Sequence, residues 1–534
     1  MTNAQTPVLV VGGRTTGLMM AAELARHGAP VRIIDKSSGI NPHARATLLH
    51  SRTLEIFDGL GIADPIRDVG QPLRRTLLFA NGKLVGQSNE AAVDSPFPHG
   101  LALSQAKTEA VMQQHLESLG AAVERNTELT AIQQRADGVR ATIRHADGAE
   151  EIVDTPWLVG CDGAHSTVRH LTEESFPGEA DPFPYLLADV IVDGALDPAD
   201  AHIYLHDEGE LFLFILDEGR RFVVASGPRG SEDRAAPTLE QMQQLVARRS
   251  QTAFRLSDPR WLARFHIHYR LAPHYRHGRT FLAGDAAHIH SLIGGLGMNT
   301  GIQDAYNLAW KLALVMRGVV PDSWLDTYEL ERRRVAEGVI ATTRLATQNT
   351  EMFAALSQQQ RTSLCEHMFA PEGEKTKARR QAEELDLDYG SSPLCSEPEG
   401  EFDAGPHAGA QVLNAAPLVV DDAECTFFDL LRGPRHRLLL FTGTRGTENV
   451  ANLAEIAGRT AETHGHWIDV FVVCQERTEM SLPPEVTRIG DPRGSLHRRY
   501  DATAACLYLI RPDGHVACRS KIVDSLEKYF ARVL

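Results

Sequence analysis

The first residues whose types and spacing bear on chemistry are Gly12-Gly13-Arg14-Thr15-Thr16-Gly17, between an apolar run and a helical pattern, with Asp35 eighteen residues after Gly17. A glycine turn at a helix N-terminus presents N–H groups and a positive dipole end to a pyrophosphate, and an acidic residue closing the next strand accepts from a ribose. Gly12 permits the tight turn and Gly17 the close strand–helix packing. Position 14 departs from the pattern, since an arginine stands where a middle glycine lets backbone approach phosphate. It either pairs with a phosphate through a displaced loop or weakens binding. For this loop alone, a structural turn without nucleotide stays open. Two more stretches, Leu158-Val159-Gly160-Cys161-Asp162-Gly163-Ala164-His165-Ser166-Thr167-Val168-Arg169 and Phe281-Leu282-Ala283-Gly284-Asp285-Ala286-Ala287-His288, are apolar runs entering loops that carry an aspartate. His288 and His290 lie two apart with no neighbouring ligands, so no metal is assigned.

Positioning these loops needs strands behind them. Residues 7–12 and 31–34 read as buried strands around the helical pattern 18–24, a strand–helix–strand unit that demands a parallel sheet covered on both faces. Between about 180 and 270, alternating segments at 201–206, 211–216 and 221–225 predict an antiparallel sheet inserted into that α/β domain. Residues 280–285 form another strand entering a loop, and a long helix is predicted from near Asn299 to a stop at Gly318. The polar stretch 371–409 has the composition of a linker. Beyond it come strand signals at 437–441 and 467–473 and a hairpin, 506–510 with 516–518, turning at Arg511-Pro512-Asp513-Gly514.

The three loops, in order, resemble the signatures of the class A flavoprotein monooxygenases, the family of para-hydroxybenzoate hydroxylase, phenol hydroxylase and the aromatic polyketide hydroxylases. The similarity continues through Arg45-Ala46, Arg52-Thr53-Leu54-Glu55, Leu103-Ser104-Gln105 and Gly294-Gly295-Leu296-Gly297-Met298-Asn299-Thr300-Gly301-Ile302-Gln303-Asp304-Ala305-Tyr306-Asn307-Leu308-Ala309-Trp310-Lys311-Leu312, covering most of residues 5–350. The resemblance implies a Rossmann-like FAD-binding domain (1–178 and 273–370), an inserted antiparallel substrate domain (179–272, with parts of 75–105), the 371–409 linker and a C-terminal thioredoxin-like α/β domain (410–534). It implies FAD, NADH or NADPH as co-substrate, and O2, with a flavin C4a-hydroperoxide delivering one oxygen atom to an aromatic substrate, phenolic or polycyclic and polyketide-like. By matching position, Gly12, Gly13, Arg14, Thr16 and Gly17 cradle the cofactor and Asp35 with Lys36 holds the adenosine ribose. Arg45 and Gln105 contact the ribityl and phosphate region and Asp285 binds nearby. Asp162 and Arg169 serve FAD and the nicotinamide donor, and Gly297, Met298 and Asn299 lie at the flavin ring. Reduced flavin carries negative charge around N1 and O2, which a helix N-terminus near Asn299 compensates. Relatives commonly read H-x-P-x-G-G-Q-G where this chain has Leu292 and Leu296 in place of the proline and glutamine. Phenol hydroxylase places an acid at the position matching Thr47, and threonine does not replace it. His206 and Arg52 are the candidates for proton handling, each with a plain structural alternative.

The remaining composition agrees with that class. At about 150 residues per domain, 534 residues suggest three or four packing units. Net charge is −16 from 54 basic and 70 acidic residues, with 43% hydrophobic and 23% charged, a globular balance that argues against nucleic acid as a partner. No leader pattern and no apolar run of membrane-spanning length are read, so a cytoplasmic location is expected. Seven scattered cysteines without C-x-x-C read as reduced thiols, and the C-terminal domain is assigned to packing or dimerisation, a homodimer being left open. Two rivals stand beside aromatic hydroxylation. One is Baeyer–Villiger oxygenation with arginines stabilising an unprotonated peroxide, the other a flavin-poor accessory protein, for which Arg14, Leu292 and Leu296 speak.

Overall fold

Four apolar residues in a row suit a strand covered on both sides, and Val8–Val11 forms one: β1, buried throughout, joined through α1 (Thr15–Arg26) to its parallel partner β2 (Val31–Asp35). The computed structural model describes residues 7–534 except 44–45, 90–92, 217–218, 229, 232, 355, 357–359, 361–376, 378, 399–401, 445–449, 476–480 and 522–524. Along the chain follow α2 (Ser51–Leu60), β3 (Arg75–Ala80), β4 (Lys83–Asn89), α3 (Gln105–Ser118), β5 (Val123–Arg125), β6 (Leu158–Gly160) and α4 (Thr167–Leu171). Then come β7 (Gly178–Asp193), β8 (Asp200–His206), β9 (Gly209–Ile215), β10 (Arg220–Ser226), α5 (Leu239–Ser250) and β11 (Arg255–Leu271). The segment closes with β12 (Arg276–His277), β13 (Thr280–Leu282), β14 (His288–Ile289) and the helices α6 (Leu296–Met316) and α7 (Asp326–Ala354).

The first sheet has the order β12-β13-β6-β1-β2-β5, parallel except at β12–β13. α1 packs against α6 and α3 over it. The loops that leave β1, β6 and β13 therefore emerge at one edge, the carboxyl ends of neighbouring parallel strands, where open α/β sheets bind ligands. The second sheet runs β14-β11-β7-β10-β9-β8-β3-β4. Its strands at 200–226 are those expected from the alternating pattern, and β3 with β4 extends it, β3 lying parallel to β8. The two longest strands, β7 and β11, were not expected. Each breaks its alternation, β7 with Pro182 and Pro184 at a register shift. α5 covers one face through Met242, Leu245 and Val246, and a capping box between Thr238 and Gln241 starts that helix.

The C-terminal part contains β15 (Leu418–Val420), β16 (Ala423–Cys425), β17 (His436–Phe441), α8 (Val450–His464), β18 (Ile468–Cys474), β19 (Val486–Gly490), β20 (Cys506–Ile510), β21 (Val516–Ser520) and α9 (Ser525–Val533). The sheet order is β16-β15-β19-β18-β17-β20-β21, with β17, β18 and β19 parallel and the β20–β21 hairpin antiparallel. Trp310 of α6 and Trp324 join its core. Its 511–514 turn enters a buried polar cluster: Arg511 holds both Glu331 oxygens at 2.8 Å and Asp513 at 2.5 Å, while Lys311 Nζ reaches Glu331 at 2.8 Å. The expected connector is partly buried over its described length. Glu383, Glu384 and Tyr389 are buried where their polar atoms meet Ser51, Gln303 and Arg332, and Leu394 is buried in the apolar core shared with the C-terminal sheet. Cys161, Cys395, Cys474, Cys506 and Cys518 are buried thiols, and Cys365 lies outside the described residues.

Candidate active site

The turn after β1 is fixed by close approach. Gly12 adopts φ +106°, and a Cβ there would collide with the Cys161 carbonyl and stand 2.9 Å from Asp162 Cα. Cys161 N–H donates to Val11 at 2.7 Å and Ala283 N–H to Gly160 at 3.0 Å. Thr16 Oγ1 fills the space beside Gly284 and Gly301, 2.6 Å from where either would carry a Cβ. The turns at 12–17, 160–163 and 283–286 and the start of α6 thus touch one another.

Asp35, 8% exposed, accepts from Gly13 N–H at 2.5 Å and from Ser37 N–H and Oγ at 2.7 and 2.5 Å. It holds the loop in shape, with Lys36 exposed beside it. Arg14 does not displace the loop. As N-cap of α1 it has extended backbone, φ −101°, which any residue adopts, and its side chain is exposed. Behind it the Glu109 carboxyl is buried, which raises its pKa against hydrogen bonds from Gln105 and Thr15 N–H and the charge of Arg14. Gln105 Nε2 donates to Glu109 at 2.8 Å and Gln105 N–H to Ala46 at 3.1 Å. Arg45 lies outside the described residues.

In the second loop Asp162 caps α4, accepting from Ser166 Oγ at 2.5 Å, Thr167 N–H at 2.6 Å and Val168 N–H at 3.1 Å, while burial raises its pKa. Arg169 is 3% exposed and donates to the Ala164 and Ala286 carbonyls, each at 2.8 Å, lashing the second loop to the third. Asp285 is exposed on the short turn Gly284–Ala286. That turn is held from behind by Asp304 of α6, which accepts from Gly284 N–H at 3.0 Å, His288 Nε2 at 2.7 Å and Arg332 Nε at 2.7 Å. The sequence reading missed Asp304 and Arg332 as site residues. The signal was a polar run, Asn299, Thr300, Gln303, Asp304, Asn307 and Lys311, along a helix whose other residues are apolar and which is buried almost throughout. Among the described residues no three His, Cys, Asp or Glu side chains are placed to hold a metal ion.

The glycine loop turns through Gly294 and Gly295, φ +85° and +67°, into α6. Asn299 is fully buried: its amide donates to Leu48 and Gly295 carbonyls at 2.9 and 2.8 Å, and its Oδ1 accepts from His50 N–H at 3.0 Å. Met298 is buried, and Gly297 passes within 3.8 Å, measured from where its Cβ would stand, of the His290 ring. Leu296 is the first residue of α6, and Leu292 packs onto the aromatic face of the second sheet. The loop therefore keeps its turn without the expected proline and glutamine. Neither α1 nor α6 has an N-cap side-chain hydrogen bond or an acidic residue in its first turn. Two positive helix ends at one sheet edge fit a dinucleotide flavin, one for its pyrophosphate and one for the N1–O2 side of its ring.

Across from the loop, the second sheet presents Phe212, Phe214, Phe222, Trp261 and Phe265, with Leu292 and Ile340 of α7 packed on the same side. Phe212 and Phe214 stack at 5.5 Å. His206 does not join them. It ends β8, five strands along from β14 in the order of eight, about 24 Å away at ~4.8 Å per strand, and its Nδ1 accepts from Glu208 N–H at 3.1 Å. Arg52 is turned elsewhere too, donating to Glu55 at 3.0 Å and to the Asp513 carbonyl of the C-terminal turn at 2.6 Å. Thr47 is half-buried on the segment before α2.

Residues 5–343 match the family described as an FAD binding domain. The chain is 32% identical over 522 residues to 6-methylpretetramide 4-monooxygenase of Streptomyces rimosus, spanning 96% of this chain and 90% of that protein. It is 30% identical over 529 residues to pentachlorophenol 4-monooxygenase of Sphingobium chlorophenolicum, spanning 97% and 94%. Among solved structures, anhydrotetracycline hydroxylase from Streptomyces rimosus superposes with a TM-score of 0.77 at 28% identity over 99% of both chains. With its three loops joined at one sheet edge and an aromatic sheet face opposite, this chain belongs to the FAD-binding-domain family and, within it, to the class A FAD-dependent aromatic monooxygenases.

Proposed function

We propose that the substrate is a phenolic polycycle, hydroxylated with one atom of dioxygen, and that NADH or NADPH supplies the electrons. The observation that carries this reading is the breadth of aromatic surface facing the glycine loop, from Phe212 to Trp261 across four strands, wider than one ring needs. Relatives named for a pretetramide and an anhydrotetracycline support a fused-ring substrate, and one named for pentachlorophenol supports the phenol. When bound, the reduced flavin activates dioxygen for transfer of a single oxygen atom.

The chain's own residues bind, orient and shield. Gly12, Gly13, Thr16, Gly17 and the exposed Arg14 receive the pyrophosphate, and Asp35 with Lys36 the adenosine ribose. Arg45, Gln105 and Asp285 serve the ribityl chain, and Gly297, Met298 and Asn299 the pyrimidine edge. Asp162 and Arg169 act by fixing the loops. Tyr269, buried on the aromatic face, hydrogen-bonds to Thr347 Oγ1 at 2.9 Å, and burial pushes its phenol pKa up, so it stays neutral and offers a hydroxyl to a substrate oxygen. For the donor, His165, His266, His268 and Arg270 lie together beside the Asp162 loop. Burial, then Arg270, His266 and His165, holds the His268 pKa down, and an anionic dinucleotide would relieve that crowding. Oxygenation of a ketone with arginines stabilising a peroxide anion lacks support in Arg52 and Arg169, whose guanidinium groups are engaged by Glu55 and by backbone carbonyls.

The test is a visible spectrum after FAD addition, then NADH and NADPH oxidation against single-ring phenols and fused-ring phenols. Fused-ring compounds should stimulate oxidation and gain one oxygen. Stimulation by single-ring phenols alone would refute the substrate assignment, and absence of flavin bands would refute the enzyme.

A further inference from the structure

We propose that His50 and Glu383 form a clasp by which the connector to the C-terminal domain holds the flavin-side glycine loop in place, making both positioning residues for the cofactor. The inference rests on the flavin reading above and extends it to residues that no loop signature includes.

His50 precedes α2 and is 4% exposed. Its backbone N–H donates to Asn299 Oδ1 at 3.0 Å, and its Nε2 donates to the Gly294 carbonyl at 2.8 Å. One residue thus bonds both the glycine turn and the first turn of α6. Its other nitrogen, Nδ1, stands 3.5 Å from Glu383 Oε2, an ion-pair separation. Glu383 belongs to the connector. The same carboxylate accepts from Ser51 N–H at 2.7 Å and Ser51 Oγ at 2.9 Å, supplying the N-terminal cap that His50's own side chain does not give α2. Its other oxygen pairs with Arg379 at 2.7 Å. Next to it, Glu384 accepts from Thr300 Oγ1 at 3.2 Å and Gln303 Nε2 at 2.8 Å, so the connector grips α6 a second time.

The charged groups facing His50 are Glu383 and Glu384, both from the connector, with Arg379 behind Glu383; the glycine loop and Asn299 present neutral groups. Burial alone disfavours the imidazolium, but the two glutamates outweigh it and raise the His50 pKa. Burial likewise works against the Glu383 carboxylate, which His50 and Arg379 hold down at about 2. A raised histidine pKa means the clasp is complete below the ordinary range near 6.5 and is lost as pH climbs through the raised value. Flavin retention therefore weakens on the alkaline side, with no loss from Glu383 until strongly acid conditions.

The experiment measures FAD affinity of the full chain from pH 6 to 9 by flavin fluorescence, for the wild type, His50→Gln and Glu383→Gln, together with hydrogen exchange of residues 290–300 in flavin-free protein. Loss of a buried charged hydrogen bond predicts that His50→Gln binds FAD about tenfold or more weakly at pH 6 and loses the alkaline decline. Glu383→Gln keeps the decline but moves it to lower pH. Both variants speed exchange at 294–299. An alkaline decline shared unchanged by His50→Gln, or exchange at 294–299 equal to wild type in both variants, overturns the clasp. If the wild type binds no FAD at any pH, the flavin reading fails, and the exchange data alone decide whether the clasp holds the loop.

Discussion

At position 14 the side chain, not the backbone, is what the arginine contributes. Extended φ places no demand for glycine, and the guanidinium lies exposed beside the buried Glu109. Arg14→Ala should leave unfolding stability within about 0.5 kcal/mol of wild type and weaken FAD binding several-fold in a titration. Arg14→Gly should restore nothing. Tyr269→Phe removes one hydroxyl from the aromatic face without altering its shape. It should lower kcat about tenfold, the worth of one directed hydrogen bond, with FAD content unchanged in the visible spectrum.

At the scale of elements, α1 carries the pyrophosphate loop and its own charge pairing governs its acid resistance. Burial pushes the Glu23 carboxyl up, yet Arg26, at 2.8 Å from both oxygens, and His27 outweigh it and hold the pKa at about 2. A depressed carboxyl stabilises the fold above its ordinary value of 4.5 and loses that contribution as pH falls toward 2. Unfolding melts between pH 5 and 2.5 should therefore fall less steeply for Glu23→Gln than for wild type. The buried parallel strands were legible in the sequence because two covered faces leave only apolar runs, as at 8–11 and 280–282. β7 and β11 were not, since prolines and register shifts break their alternation and both faces mix polar with apolar residues. The loops of the site were legible through glycine and aspartate spacing. Asp304, His50 and Glu383 were not, because a polar residue is read as facing water unless its partner, here as far as 333 residues away in the chain for His50 and Glu383, is known.

For the whole molecule, the C-terminal turn is a structural bolt. Arg511 neutralises Glu331 and Asp513, Lys311 completes the balance, and Asn307, Trp310 and Ser392 satisfy the remaining oxygens. Arg511→Met strands two buried carboxylates with one lysine, and should cost about 3–5 kcal/mol, read as a large drop in the thermal midpoint. Among the described residues no helix is long and apolar enough to cross a membrane.

The two flanks of the aromatic crevice are built from different materials. On one side, dry ion pairs lock α6 and α7 to the last hairpin and resist sliding, because any displacement separates charges that water does not reach. On the other, the second sheet meets α7 and the glycine loop through apolar side chains such as Leu292, Ile340 and Phe214, with the Tyr269–Thr347 hydrogen bond and the exposed Arg344–Glu179 pair as polar ties, a contact that tolerates small shear better than a buried charge cluster. A bulky planar guest pressing these flanks apart would therefore meet less resistance from the inserted sheet than from the tail of the chain, where displacement separates buried charges.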